Sequence, residues 1–441
     1  MRSAERQTWI GRQKGVTGPS EGDICDAYLY LLGRLLVLRQ EHLDFALDGF
    51  QWNQLVHRAV GSVSRPNPDL DVAHSDAWIA IDETSCTVIE LPPIVGRYFT
   101  VQIVNPWGET VANINERNFP AHSSGAYALC LRDAPITPPP GTERVDVPNR
   151  KARVLLHLEL GANHTEAASL QHHVGMRVTG VPDIAPTIRC PLFTNDKLPG
   201  VAAFDDALAV LASEPDFNPG TDSLQTRVRA VMAWASSNDA ERARIDAVIR
   251  SQAWRKLKQH VAMMNSSGNG WVRPKLAGSF GEDWLMRTVT NYTHLWANTQ
   301  VEVVEFTAGS TSPLDGSDTY SMTFAKDDLP SSHVKYFWSV LCIDAVDFHV
   351  TRNVRNRFFI DDQSRAQRAS DGSVTLWFAP QKPDHVPDAN WLPTPAGEYF
   401  CLTWRCYGPD QATMLGNWYP PRLHRIGVGG ETHAAAEFSI L

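Results

Sequence analysis

The chain contains no apolar run near the ~20 residues that a bilayer-spanning helix requires, and it reads as a protein without a membrane span. Its opening stretch, Met1–Asp23, carries basic residues but lacks the apolar core of a secretory leader. The expectation is therefore a cytoplasmic protein. No C-x-x-C pair occurs. The seven cysteines (Cys25, Cys86, Cys130, Cys190, Cys342, Cys401 and Cys406) are scattered and odd in number. They are expected to be reduced thiols buried as small hydrophobes. Cys401 and Cys406 fall on opposite faces of one strand by parity, which keeps them from bonding to each other. The chain also lacks a G-x-S-x-G elbow, a P-loop, an H-E-x-x-H pair and a G-x-G-x-x-G turn after a strand. Nucleotide binding and the common hydrolase folds thus have no motif behind them. Enzymes in general survive that test, because catalytic groups can come from distant segments. An excess of positive charge is missing too. The net charge of −9 leaves no basic face to replace the counterions of a nucleic acid and disfavours an anionic membrane surface.

What the chain does have is the composition of an ordinary globular protein, 43% hydrophobic and 20% charged, over 441 residues. That length suits two or three domains. Fourteen tryptophans are many, and supply either aromatic cores or an apolar pocket. Residues 1–21 read as a polar arm. Asp23 can cap a helix in which Ile24, Ala27, Tyr28, Leu32, Leu35 and Leu36 recur at helical spacing to about Gln40. A second helical run is expected over about 46–60, the pair forming residues 1–64 and bracing a β domain. Strand-like runs follow at Val88–Leu91, Arg97–Val104, Gly125–Leu131 and Ala152–Leu160, within a β domain of residues 65–200. Period-2 alternation then stops. Phe204–Ser213, Gln225–Ser236, Asp239–Gln259 and Glu282–Ala297 read as helices in a segment of residues 201–300. From Val301 to the end the strand pattern returns. The fold class expected is mainly β with a helical middle (α+β, multidomain), closing in a jelly-roll-like sandwich.

The most ordered pattern lies between Asp361 and Pro421. Val374, Leu376 and Phe378 alternate with polar or amphipathic residues after the turn signal Asp371-Gly372. Glu398–Tyr407 alternates as well, with Arg405 on its more polar face. The prolines from Pro387 to Pro395 are excluded from a central strand and stiffen the loop that holds Asn390 and Trp391.

The order and spacing of several short motifs identify a resemblance here. They are Leu314-Asp315-Gly316 with Tyr320, Phe337-Trp338-Ser339 leading to Asp344, Asn356-x-Phe358 and Asp371-Gly372-Ser373. Asn390-Trp391-Leu392-Pro393-x-Pro395, Arg405-x-Tyr407 and Gly416-x-Trp418-x-Pro420-Pro421 complete the set. The stretch of about 270–425 resembles the C-terminal member of a bacterial family pair of unknown function, numbered 1254 and 1214. Residues 65–180 resemble the N-terminal member more loosely, through Asn67, Asp69, Ser75-x-Ala77-Trp78 and Gly96-Arg97-Tyr98. The family commonly has Asp-Thr-Leu-Tyr after its Asn, where this chain has Asp69-Leu70-Asp71-Val72. It commonly has an acidic residue where Asn105 stands. The resemblance implies a fold and no reaction.

Residue chemistry supplies the remaining candidates. His157, His164, His172 and His173 cluster in sequence, but adjacent histidines on a helix point about 100° apart, and no metal site is expected. Arginines beside strands offer a planar fork for carboxylate, sulfate or phosphate, or pair with a buried carboxylate such as Asp283 or Asp361. Arg287 is one of these. The candidate ligand-binding residues are Asn67, Asp69, Arg97, Tyr98, Arg357, Asn390, Trp391 and Arg405. Catalytic residues and cofactors stay unassigned. The expected site is a cleft between β domains, taking a small amphiphilic or anionic molecule, with a hydrolase-like enzyme as the first reading. A non-catalytic small-molecule binder and a jelly-roll assembly subunit are the alternatives, and a homo-oligomer is compatible with each.

Overall fold

The computed structural model describes residues 18–47, 49–62, 67–351, 353 and 355–426, together with the backbone of 432–434. Most of the expected N-terminal arm, and Arg65 and Pro66, lie outside the described residues.

The first helix, Glu21–Leu47, is apolar on nearly every side between Ile24 and Leu38, so it can only be stable when surrounded. It is. Rather than lying on a β domain as a lid, it forms the axis of a helical unit. Thr221–Ala235, Trp284–Thr293 and the run Asp239–Met263, whose middle is a π turn at Ile249–Ala253, pack around it. Its cap is Ser20. The Ser20 Oγ accepts from the Asp23 N–H at 3.1 Å, and the Asp23 carboxylate accepts from the Ser20 N–H at 3.3 Å. Asp23 is thus the third helical residue of a reciprocal cap. The C-terminal end of this helix is tied to the first β domain through Asp44, which accepts from Trp78 Nε1 at 2.8 Å and pairs with Arg153.

The second expected helix, over 46–60, does not form. Gly49 and Asn53 take positive φ values of 69° and 60°, which interrupt any helix. Phe50, Trp52 and Val56 instead lie as extended chain beside Trp78. Asn53 donates to the Ala80 carbonyl at 3.0 Å.

Two β sandwiches flank the helices. In the first, a five-stranded sheet (in spatial order Val56–His57, Val72–Ala80, Lys151–Glu159, Phe99–Val104, Thr110–Ile114) faces a four-stranded one (Thr142–Val147, Gly125–Leu131, Cys86–Leu91, Gly175–Thr179). Ile79, Ile89, Phe99, Tyr127 and Val154 fill the space between. The expectation that every cysteine is a free thiol fails here. Thr87 registers with Leu129, so Cys86 faces Cys130 on the adjacent antiparallel strand, their Cα atoms 4.7 Å apart, and the two form a disulfide. The other five cysteines are free.

In the second sandwich, Tyr399–Tyr407 lies between Val303–Ala308 and Trp338–Asp344 in a seven-stranded sheet. A five-stranded sheet containing Thr319–Phe324 and Val374–Ala379 covers one side. Val374, Leu376 and Phe378 point into this core, with Phe400, Leu402, Trp404 and Cys406 opposite. Trp391–Pro393 is an edge strand, where a proline costs no ladder bond. The other face of Tyr399–Tyr407 carries Cys401, Thr403, Arg405 and Tyr407, and these are buried as well. The first sandwich covers them. This contact between the sandwiches is where the unusual electrostatics lie.

Candidate active site at the seam between the two sandwiches

The segment Asn67–His74 leads into the strand Val72–Ala80 and crosses the outer face of the seven-stranded sheet. Apolar contacts seat it: Leu70 against Leu341, Ile343 and Cys401, and Val72 against Phe337, Tyr407 and Tyr98. Polar contacts orient it. Arg405 donates from Nη2 to the Asn67 carbonyl and from Nη1 to the Pro68 carbonyl, both at 3.0 Å, and from Nε to Glu305 Oε2 at 3.0 Å. Asn67 Nδ2 reaches the other Glu305 oxygen at 2.9 Å. Tyr407 donates its hydroxyl to Asp69. Farther along, Glu302 accepts from Asn115 at 2.9 Å, from Tyr98 at 3.3 Å and from Arg117.

These surroundings push neighbouring groups in opposite directions. Burial alone would raise the Asp69 carboxyl, but Arg405, His74 and the Tyr407 hydroxyl outweigh it and hold Asp69 below the usual carboxylate range. Asp71, two residues on, is only 6% exposed. Burial, then the Asp69 charge, then Asp361 raise it well above that range. The pair is thus pushed apart, Asp71 toward holding a proton and Asp69 toward ionisation. His157 lies against His74, with ring centroids 4.9 Å apart, and burial followed by that neighbour lowers it to about 4.

Asp71 opens on a small, partly enclosed cavity between the sandwiches. From the first come Asp71, Glu159 and His164; from the second come Phe337, Phe359, Asp361 and Asp362. Glu159 accepts from the Tyr98 N–H at 2.8 Å, yet burial, with Asp362 nearby, leaves its carboxyl raised. Asp362 is raised by burial and by Asp361. The Asp71 Oδ1 atom is fully enclosed, and the Ser339 hydroxyl beside the carboxyl opposes part of its upward shift. Buried polar atoms seldom remain unpaired. Gly161 completes the wall with a φ of +53°, where a Cβ would sit 2.9 Å from Arg97 Nη1. Among the described residues, no three His, Cys, Asp or Glu side chains converge on a point that could hold a metal ion.

The sequence candidates separate into three groups. Asn67, Asp69, Tyr98 and Arg405 come together at the seam. Arg97 sits at the cavity edge, donating to the Leu160 carbonyl at 2.6 Å and to Glu166 at 2.7 Å. Asn390, Trp391 and Arg357 lie elsewhere, around the edge strand, and do not join Arg405. Asn390 is 3% exposed and spends its amide on backbone, accepting from Gln367 N–H at 2.7 Å and donating to the Gln367 and Thr375 carbonyls at 2.9 Å. Trp391 donates to the Ala379 carbonyl at 2.9 Å and packs with Val386 and Trp377. Arg357 holds the Asp388 and Ala389 carbonyls. Arg287 does pair with a buried carboxylate, but with Asp216 at 3.0 and 2.5 Å, while Asp283 caps the helix Trp284–Thr293. Asn105 accepts from the Trp107 and Glu109 N–H groups at 2.9 and 3.0 Å, a turn-closing role.

Residues 51–178 match the family described as "Protein of unknown function (DUF1254)", and residues 299–411 match "Protein of unknown function (DUF1214)". The chain carries both domains of this pair. The seam is thus the contact of the DUF1254 half with the DUF1214 half. The architecture is similar to that of the VPA0106 protein from Vibrio parahaemolyticus, with a TM-score of 0.68 at 16% identity, over 92% of this chain and 100% of that one. At that identity the likeness shows the fold alone. An uncharacterized protein from Burkholderia cenocepacia aligns at a TM-score of 0.44 and 14% identity, over 90% of this chain and 87% of that one. No curated protein matches the chain.

Asp71, Glu159 and Asp362 escaped sequence reasoning. A signal for Asp71 was present: Asp69 and Asp71 stand two apart at a strand entrance, where alternate residues share a face. Nothing local links them to Asp361 and Asp362 in the other half.

Proposed function

We propose that the chain binds a small molecule in the cleft between its DUF1254 and DUF1214 halves, with carboxyl groups set for acid–base work on it. The observation that carries this reading is the cavity wall itself, where Asp71, Glu159 and Asp362 meet from the two halves, each with its carboxyl raised by burial and by a neighbouring carboxylate. The acidic lining turns the expected preference for an anionic head around, since another negative charge would be repelled.

The hydrolytic reading draws on the opposed environments of Asp69 and Asp71. One carboxyl ionised and a neighbour protonated is the arrangement general acid and base catalysts share. The assembly-subunit reading has no comparable observation behind it. A thermal-shift screen of small neutral and cationic molecules, run on the native chain and on Asp71→Asn, tests the cleft. Ligands of the cleft should raise the melting temperature of the native chain and lose most of that effect in the variant. Stabilising ligands indifferent to Asp71→Asn and to Asp362→Asn would place the site elsewhere.

A further inference from the structure

In the four-stranded sheet, Gly125–Leu131 and Thr142–Val147 are neighbours and run parallel. A chain leaving the first can enter the second only by returning along the length of the strand, and residues 132–141 make that return. They cross the face of the sheet that points away from the sandwich core. By strand alternation Ile89, Tyr127 and Leu129 fill the core, so Val88, Ala128 and the Cys86–Cys130 disulfide stand on the crossed face. Ile136 of the crossing segment packs on them, and Cys86 and Cys130 are both 0% exposed. One side chain holds the segment down. Arg144 donates from Nη1 to the Ile136 carbonyl at 2.7 Å and from Nη2 to the Leu131 and Ala134 carbonyls, both at 3.2 Å. Its Nε is fixed by Asp146 at 2.8 Å. Pro135, Pro138, Pro139 and Pro140 leave the segment few backbone donors of its own, so these three bonds carry much of its attachment.

We propose that Cys86–Cys130 is a redox switch worked by an external dithiol, with residues 132–141 as its lid and Arg144 as the latch. The five free thiols lie in other cores. Cys25 and Cys190 pack with the first helix, and Cys342, Cys401 and Cys406 belong to the second sandwich. None can exchange with the bond, so the reductant comes from outside. A thiolate of the dithiol attacks one sulfur, the S–S bond breaks, and the other cysteine leaves as a thiolate that takes up a proton. The second thiol of the reagent then displaces the first cysteine and closes the reagent's own disulfide. Two electrons and two protons pass to the chain. Cys86–Leu91 and Gly125–Leu131 keep their antiparallel ladder when the bond opens, so the reduced sandwich stays folded while losing a cross-link that spans 44 residues of sequence.

The test uses the full chain, oxidised with glutathione disulfide. Unfolded without reductant it should show five thiols, and seven after reduction. Dithiothreitol added to the native chain, followed by alkylation and peptide mass mapping, should open the bond with the far-UV circular dichroism unchanged, and glutathione disulfide should close it again. Arg144→Ala should speed the opening at least about tenfold. Arg177→Ala, which removes an exposed ion pair with Glu90 at the other edge of the same sheet, should not. Where Arg144→Ala does not fold, Arg144→Lys, which keeps the charge and loses the fork, is read in the same way. Seven thiols without reductant, or a reduced chain that unfolds, overturns the switch. Opening at the same rate in the native chain and the Arg144 variant, or equally fast in Arg177→Ala, overturns the lid and latch.

Discussion

Asp69 and Asp71 sit two residues apart on one segment, cross the same seam and face opposite fates. Both keep one enclosed oxygen without a partner, but Asp69 has a donor and a cation close by: Tyr407 donates to it, and Arg405 holds the backbone of Asn67 and Pro68 just before it. Around Asp71 the nearest charges are the Asp69 and Asp361 carboxylates, which the Ser339 hydroxyl and the more distant Arg405 only partly offset. A buried charge network that is mostly satisfied positions two domains relative to each other. The difference teaches that burial alone does not set the state of a carboxyl; the sign of the charges packed against it does.

The comparison can be broken most forcefully at Arg405. Replacing it with methionine removes the cation from beside Asp69 and Glu305, and the removal of one partner from a buried pair costs about 3–5 kcal/mol. Denaturant unfolding of Arg405→Met should show a loss of that size. A loss under about 1 kcal/mol would mean that the Asp69 side is no better satisfied than the Asp71 side.

Trp391→Ala gives a contrast outside the seam. Its indole is 5% exposed and hydrogen-bonded inside the DUF1214 half. The expected loss is about 3 kcal/mol, with ligand affinity of the remaining folded protein unchanged. An affinity loss greater than tenfold without a stability loss would return Trp391 to the site.

The sharpest test is the pH dependence of two isosteric changes. Asp69 is lowered in the folded state, so its contribution to stability is present above the unfolded pKa and is lost as pH falls through the lower folded value. Asp69→Asn should therefore cost about 2 kcal/mol at pH 8 and progressively less under acid conditions. Asp71 has the opposite sign. Below the unfolded pKa both states hold the proton. As pH rises, the unfolded chain releases it first, and stability drops until the raised folded value is passed. Asp71→Asn should match the native chain near pH 4 and exceed it by about 1 kcal/mol at pH 8. Parallel stability curves for the two variants would erase the distinction drawn between these residues.

Much of the fold was legible because it follows from periodicity. Val374, Leu376 and Phe378 point inward as their alternation requires, and the break in alternation after Ala203 does mark the helical middle. The family pair was legible from short motifs in order. Three things were not. The helical run expected over 46–60 is interrupted at Gly49, whose positive φ turns the chain. The Cys86–Cys130 bond depends on a strand register that spacing does not encode. That pairing also removes the all-thiol argument for a reducing compartment. Asn67, Asp69, Tyr98 and Arg405 were legible one by one, and the structure brings them together at the seam. The cavity itself was not, because its walls come from two domains whose meeting face has no local signature. Asn390 and Trp391 drew attention because prolines hold them, and the rigidity proves to serve backbone capping.

The all-round apolar helix Glu21–Leu47 imposes an order on synthesis. Its Leu29 carbonyl accepts from Thr288 Oγ1, a partner 259 residues later in the chain. At ~5–20 residues per second that gap is on the order of 10–50 s. Throughout that interval Leu31, Leu32, Leu35 and Leu36 have emerged while Val289, which joins the same core, has not. The nascent chain thus exposes an all-round apolar helix long before the last of its covering residues is made.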